Sequence, residues 1–170
     1  MFFCQGRAIA KRLWLAYRGV MLDRIWTVFA PLLIVFLGLD QITKEWAERN
    51  LSLADSVNFG FNLSHNEGVV FGLYLPVWVI YLMTTGILVL GTYLVIKERL
   101  WQDRWHLTGL ALLLAGAVGN LIDRVRFGYV IDFIQVYWWP TFNLADVWIV
   151  AGVCLFAWEF LVREKAVTKL

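Results

Sequence analysis

The chain is short of the residues that most hydrolytic and metal centres need. It has two histidines, His65 and His106, two cysteines, Cys4 and Cys154, and three serines, Ser52, Ser56 and Ser64. The cysteines stand far apart, one before the first apolar run and one inside the last, so no disulfide framework or thiolate metal site is indicated. Cys154 reads as a small apolar side chain in a helix. Charge is scarce as well: 16% of residues, against about 25% in a soluble domain. The net charge of +2 says little by itself; no nucleic-acid partner is expected.

What fills the space is apolar. Hydrophobic residues make up 61% of 170, above the ~45–50% of soluble chains. A single domain of this length cannot bury such an excess, so a bilayer is the natural solvent. Ten Trp, six Tyr and twelve Phe suit wide interfacial belts.

A spanning helix needs about 20 mostly apolar residues. The sequence predicts four, over 25–42, 76–96, 106–122 and 144–162, in one polytopic membrane domain. Pro76 suits a first helical turn, and Glu159 is placed to reach Arg163 one turn on. Eleven of the fifteen basic residues fall before span one, between spans two and three, or after span four. Only Lys44, Arg49, Arg124 and Arg126 fall on the other side. The positive-inside rule then places both termini in the cytoplasm and loops 43–75 and 123–143 outside. The basic start is too long for a signal peptide, and no small-residue cleavage site follows Leu39. Residues 1–24 read as a cytoplasmic arm, with 8–24 an amphipathic helix on the inner surface.

This orientation puts His65 and His106 on opposite sides, which argues against a histidine-rich zinc site. Ser64 adjoins His65, but neighbouring strand residues point to opposite faces, so a Ser–His–Asp triad is poorly supported. A Ser–Lys pairing with Lys44 stays open, with nothing favouring it. If the protein is a hydrolase, a carboxylate pair is the best apparatus available.

The outer loops supply candidates. Val57, Phe59, Phe61 and Leu63 alternate with Asn58, Gly60, Asn62 and Ser64, which predicts a strand with one greasy face. Asn66-Glu67-Gly68 reads as a turn. Residues 127–142 are too aromatic for bulk water and suit the membrane interface. Asp40, Asp123, Asp132 and Asp146 fall at about one depth, at the outer boundary. Carboxylates there are costly and are candidates for function. Each also has a plain explanation. Asn143 serves as an N-cap with Asp146 at N3, Asp40 and Lys44 form a surface pair, and Asp123 is a solvated helix end. On span three Gly109, Gly116, Asn120 and Asp123 share a face; packing explains the glycines but not Asn120.

These residues form an ordered series: Asp40-Gln-x-x-Lys44, Asn66-x-Gly68, Gly116-x-x-Gly-Asn120-x-x-Asp123-Arg124, Val-x-Asp132-Phe, and Phe-Asn143-x-Ala145-Asp146. The series resembles that of lipoprotein signal peptidase, the aspartyl enzyme also called signal peptidase II, from about residue 30 to 160. The resemblance implies an all-α membrane protein with four spans, both termini cytoplasmic, and a small β-strand-containing region outside. It implies cleavage of bacterial prolipoproteins before a diacylglyceryl-modified cysteine, at the outer face of the inner membrane, with membrane lipids as the other partner. It makes Asp132 and Asp146 the catalytic dyad, sharing a proton and needing neither metal nor cofactor. Asn66, Asn120, Arg124 and Asn143 would bind substrate or hold the dyad. Asp40, Lys44, Asp123, Gly68 and Ala145 would support it, and Gly116 would leave it room. Two features depart from the pattern. Val69 and Val70 stand where the family has alanines, and the amino-terminal arm is long. Two rival readings are a small proton- or ion-coupled transporter and a structural subunit docking through span three.

Overall fold

A computed structural model describes residues 19–53, 59–68, 76–97 and 102–167. The amphipathic arm expected over 8–24 lies outside them up to residue 18, as do Val57, Asn58, Val69, Val70 and Phe71. The side chains of Glu159 and Arg163 also lie outside.

Four long helices and two short strands make up the described residues. Helix α1 covers Gly19–Asn50. Pro31 sits in its interior, where the missing N–H and the ring would break an α-helical ladder. The chain absorbs this with a π turn over Ile25–Phe29, closed by the Ala30 amide donating to the Ile25 carbonyl. Strand β1, Phe59–Asn66, precedes α2, Val77–Lys97. Helix α3, Arg104–Phe127, begins on Asp103, whose side chain accepts from the Trp105 amide. It ends on Gly128 at φ 85°, in the left-handed region that favours glycine. Strand β2, Val130–Val136, and α4, Leu144–Val167, complete the order. The helices run past the expected spans, because polar turns at their ends continue the ladder.

α3 and α4 form the most extensive helix pair, and α1 packs across α3. Small residues set the α3–α4 spacing. A Cβ on Gly152 would stand 2.8 Å from the Gly109 carbonyl, and one on Gly116 would strike the Ala145 carbonyl. Apolar side chains such as Ile34, Trp78, Leu82, Val89, Val150 and Trp158 remain more than half exposed. Such a surface suits lipid and not water. Gly19–Asn50 and Arg104–Phe127 each have the length and apolarity to cross a membrane.

The sheet differs from expectation. Residues 127–142 were expected only to lie at the interface, yet β2 pairs antiparallel with β1. Its sequence, Val-Ile-Asp-Phe-Ile-Gln-Val, is apolar on both faces, so no alternation marks it as a strand. β1 does not keep one greasy face either. Phe59 opposes Val136 and Phe61 opposes Ile134, but Ser64 opposes Asp132, so one extra residue bulges between Phe61 and Ser64. Phe59 and Phe61 stay exposed while Leu63 turns inward. There it joins Ala47, Ile131 and Phe133 in a buried cluster that seats the sheet on the end of α1. A second cluster, Val95, Leu107 and Leu110, closes the other end against Met21, Val28 and Phe29.

Candidate active site

Between those apolar clusters lies a buried polar network built on α1, α3, β1, β2 and the start of α4. It begins at Lys44. Its ammonium contacts Asp40 at 3.0 Å and Asp123 at 2.8 Å, and donates to Asn120 Oδ1 at 2.9 Å. Lys44 and Asp40 are one helical turn apart, and all three charges are essentially excluded from solvent. A surface pair and a solvated helix end are therefore excluded for Asp40 and Asp123. Removing charges from water is expensive, and only close pairing with full hydrogen bonding offsets the cost. The pairing here is close. Asp40 also accepts from the Ala145 amide at 2.9 Å, and Asp123 from the Ile131 amide at 3.3 Å. The first contact fixes the start of α4, the second the start of β2.

Gln41, which the motif series contains without a role, is a further member. Its amide reaches Asp40 Oδ2 at 3.1 Å and Asp123 Oδ1 at 3.3 Å. Gly119, the second glycine of the α3 motif, is another: a Cβ there would collide with Asp40 Oδ2. The signal for both was adjacency, since Gln41 follows Asp40 and Gly119 precedes Asn120.

A layer of asparagines leads from this ion cluster to two carboxylates. Asn120 Oδ1 accepts from Lys44 and from Asn143 Nδ2 at 3.1 Å, and its Nδ2 donates to Asp146 Oδ1 at 2.9 Å. Asn143 Nδ2 donates to Asp132 Oδ1 at 2.6 Å and to the Ile131 carbonyl at 3.3 Å. The Asn143 side-chain oxygen takes the Asp146 amide at 3.0 Å, and the Asn143 amide donates to Asp146 Oδ2 at 3.3 Å. Asn66 Nδ2 donates to Asp132 Oδ2 at 2.9 Å from the other side. Both Asp132 oxygens are thus held, one from α4's cap and one from β1.

The bulge makes the Asn66 contact possible. After it, Asn66 pairs with Val130 and shares a face with Asp132. Side chains alternate along a strand, so an unbulged register would send Asn66 to the opposite face. Asn66 Oδ1 accepts from the Gly68 amide at 3.0 Å, and the Gly68 carbonyl accepts from Arg124 Nη2 at 3.1 Å. Arg124 also reaches the carbonyl of Asn120 at 3.4 Å. All twelve residues singled out in the sequence thus lie in or against one network, Gly116 by its close contact with the Ala145 backbone.

Asp132 is 2% exposed. Burial, followed by the negative charge of Asp146, pushes its carboxyl from 3.8 up to about 7. The amides of Asn66 and Asn143 and the charge of Lys44 pull the other way and lose. A buried carboxyl poised near neutrality beside a second carboxylate has the chemistry of general acid–base catalysis.

The sequence pattern of signal peptidase (SPase) II matches residues 32–162. The chain belongs to the signal peptidase II family. A lipoprotein signal peptidase of Psychromonas ingrahamii is 38% identical over 144 residues, 78% of this chain and 83% of that protein. One of Moorella thermoacetica is 39% identical over 142 residues, 78% of this chain and 92% of that one. Among solved structures, a bacterial membrane enzyme determined by the in meso method at 2.3 Å superposes with a TM-score of 0.70. It is 30% identical, covering 79% of this chain and 90% of its own. The signal peptidase II match takes in all the site residues described above, from Asp40 to Asp146.

Proposed function

We propose that this protein is a membrane aspartyl endopeptidase that removes the signal peptide from bacterial prolipoproteins, cutting before a diacylglyceryl-modified cysteine. Asp132 and Asp146 are the catalytic dyad. One observation carries the assignment: in a signal peptidase II chain, the single amide of Asn143 bonds Asp132 while its oxygen and backbone bond Asp146. Helices α1 to α4 span the bacterial cytoplasmic membrane as one domain with both termini inside. The dyad then stands at the outer boundary, beside lipid. Transport and scaffolding, the rival readings, gain nothing from family membership or from a polar network confined to one end.

The two carboxyls work as a coupled pair. Asp132, the more deeply buried, holds the shared proton near neutral pH. Asp146 is the base: it takes a proton from a water lying between the two as the oxygen attacks the scissile carbonyl. Asp132 donates its proton in a hydrogen bond to that carbonyl, stabilising the tetrahedral oxyanion. As the C–N bond breaks, the proton on Asp146 passes to the leaving amine of the cysteine. The water ends as the hydroxyl of the new carboxyl terminus, and the dyad regains its single proton. Asn66, Asn120 and Asn143 fix the carboxyls in position, and Arg124 ties the Gly68 turn over them. Asp40, Lys44 and Asp123 support the asparagines from below.

The test is cleavage of a diacylglyceryl-modified prolipoprotein by purified protein in detergent with chelator, against Asp132→Asn and Asp146→Asn. Wild type cleaves undiminished, and each variant is slower by about a thousandfold or more. A folded wild type that does not cleave, or an Asp146→Asn variant at full rate, would sink the proposal.

A further inference from the structure

The end of the bundle that holds the dyad has only four basic residues: Lys44, Arg49, Arg124 and Arg126. Two are consumed by the network, Lys44 in ion pairs and Arg124 on two carbonyls. The other two come from different helices, α1 and α3, yet converge. Arg49 and Arg126 line one open groove of about 540 Å³ with Gln41, Ile42, Glu45 and Trp46. Arg49 pairs with Glu45 at 2.6 Å. Arg126 lies 4.9 Å over the Phe127 ring and makes no ion pair among the described residues. Among the described residues the groove therefore has one uncompensated positive charge.

Below it runs an exposed apolar stripe on α1. Val35, Leu39, Ile42 and Trp46 are 53%, 43%, 67% and 43% exposed, and their spacing of four, three and four keeps them on one helical side. From Ile42, at the outer boundary, down to Val35 the helix rises about 10 Å, most of the ~15 Å depth of one leaflet. Above Ile42, Trp46 continues the stripe to the two arginines.

We propose that this groove binds an anionic phospholipid of the outer leaflet, its phosphate between Arg126 and Arg49 and one acyl chain along the α1 stripe. The proposal rests on the orientation given above. Arg126 contributes most, because Glu45 already occupies Arg49. Trp46 supplies an indole at headgroup depth. Gln41 belongs both to the groove and to the Asp40–Asp123 cluster, so the lipid braces the outer flank of the catalytic network. The diacylglyceryl group of the substrate has no phosphate, so this lipid is distinct from it.

The experiment is native mass spectrometry of the full-length protein from detergent, offered phosphatidylglycerol or phosphatidylcholine. Wild type retains one phosphatidylglycerol in preference to phosphatidylcholine. Arg126→Gln weakens that retention about fivefold and Arg49→Gln less, while Arg126→Lys keeps most of it. Equal retention of the two lipids, or unchanged retention by Arg126→Gln, overturns the proposal. Displacement by excess inorganic phosphate makes the groove a free-anion site and also overturns it. Cleavage in phosphatidylcholine nanodiscs is read separately, and Arg126→Gln retains the wild-type rate there. A raised KM for prolipoprotein with lipid retention unchanged gives the groove to the substrate polypeptide instead, overturning the lipid assignment. An absence of cleavage in every sample tests the peptidase reading and leaves the lipid measurement standing.

Discussion

Asn143 and Asp146 cap each other. The backbone amide of each donates to the side-chain oxygen of the other, at 3.3 Å and 3.0 Å. This is a capping box on the first turn of α4. The ordinary reading of these residues, as a helix start, is true, and the proposed catalytic reading depends on it. Because the Asn143 oxygen faces the helix, its amide is left pointing at Asp132. The same bonds that begin α4 set the distance between the two carboxyls.

Asn143→Ala removes the cap and the 2.6 Å bond to Asp132 together. Losing a cap costs about 1 kcal/mol, and the freed carboxyl adds to that. Thermal unfolding in detergent should fall by several degrees, and prolipoprotein cleavage by at least about a hundredfold.

The raised pKa of Asp132 has a definite sign. From pH 3.8 to about 7 the folded protein keeps a proton on this carboxyl that the unfolded chain has lost. Its contribution to stability is therefore fully present below 3.8 and is lost as pH rises to about 7. Asp132→Asn does not titrate. Its stability relative to wild type should improve steadily across that window and level off above it. Wild-type kcat/KM should decline above about pH 7, as the shared proton leaves. Melting curves and initial rates at a series of pH values check both.

Lys44→Met strands two buried carboxylates. Breaking a buried ion pair from one side costs about 3–5 kcal/mol. Pairing the change with Asp123→Asn should recover part of the loss, a coupling that a double-mutant cycle of unfolding free energies measures.

Gly119→Ala puts a methyl against the Asp40 carboxylate. Asp40 cannot retreat, since Lys44 and the Ala145 amide hold it. Overpacking of this kind costs about 1–3 kcal/mol. The strain passes to α4, so cleavage should drop between about tenfold and a hundredfold. Gly119→Ser should be worse than Gly119→Ala in both assays.

Inserting an alanine between Ser64 and His65 moves Asn66 one residue along β1, out of its pairing with Val130. Asn66 then turns to the far face of the strand and loses Asp132. Cleavage should fall at least about a hundredfold with the helical circular dichroism signal unchanged. An active insertion variant would show that the Asn66 contact is dispensable.

The helices were legible because long apolar runs bounded by charge have few alternatives. The polar network was legible as a set of positions, since Asp40 and Lys44, Asn120 and Asp123, and Asn143 and Asp146 each sit at helical spacing. What joins these pairs was not legible. No spacing rule connects Asn120 to Asp146 or Asn66 to Asp132, because those contacts depend on how α3, α4 and the sheet meet. β2 was hidden because both its faces are buried and periodicity fails there. The bulge was hidden because perfect alternation over 57–64 gives no hint of an extra residue. Gln41 stands in the Asp40–Lys44 motif with no role legible, because its second acceptor, Asp123, comes from another helix.

The π turn ahead of Pro31 has a consequence for how α1 is drawn on a helical wheel. Each residue of an α-helix advances the azimuth by about 100°, and a π turn adds one residue without advancing it. Met21 and Asp40 are nineteen positions apart, which would put them about 100° out of phase on an unbroken helix. With one position absorbed they come into line. Met21 packs on the apolar cluster at one end, and Asp40 is buried at the other. A proline that would ordinarily spoil a helix thus supplies the phase correction that lets one helix face serve as greasy wall at one end and as ionic wall at the other.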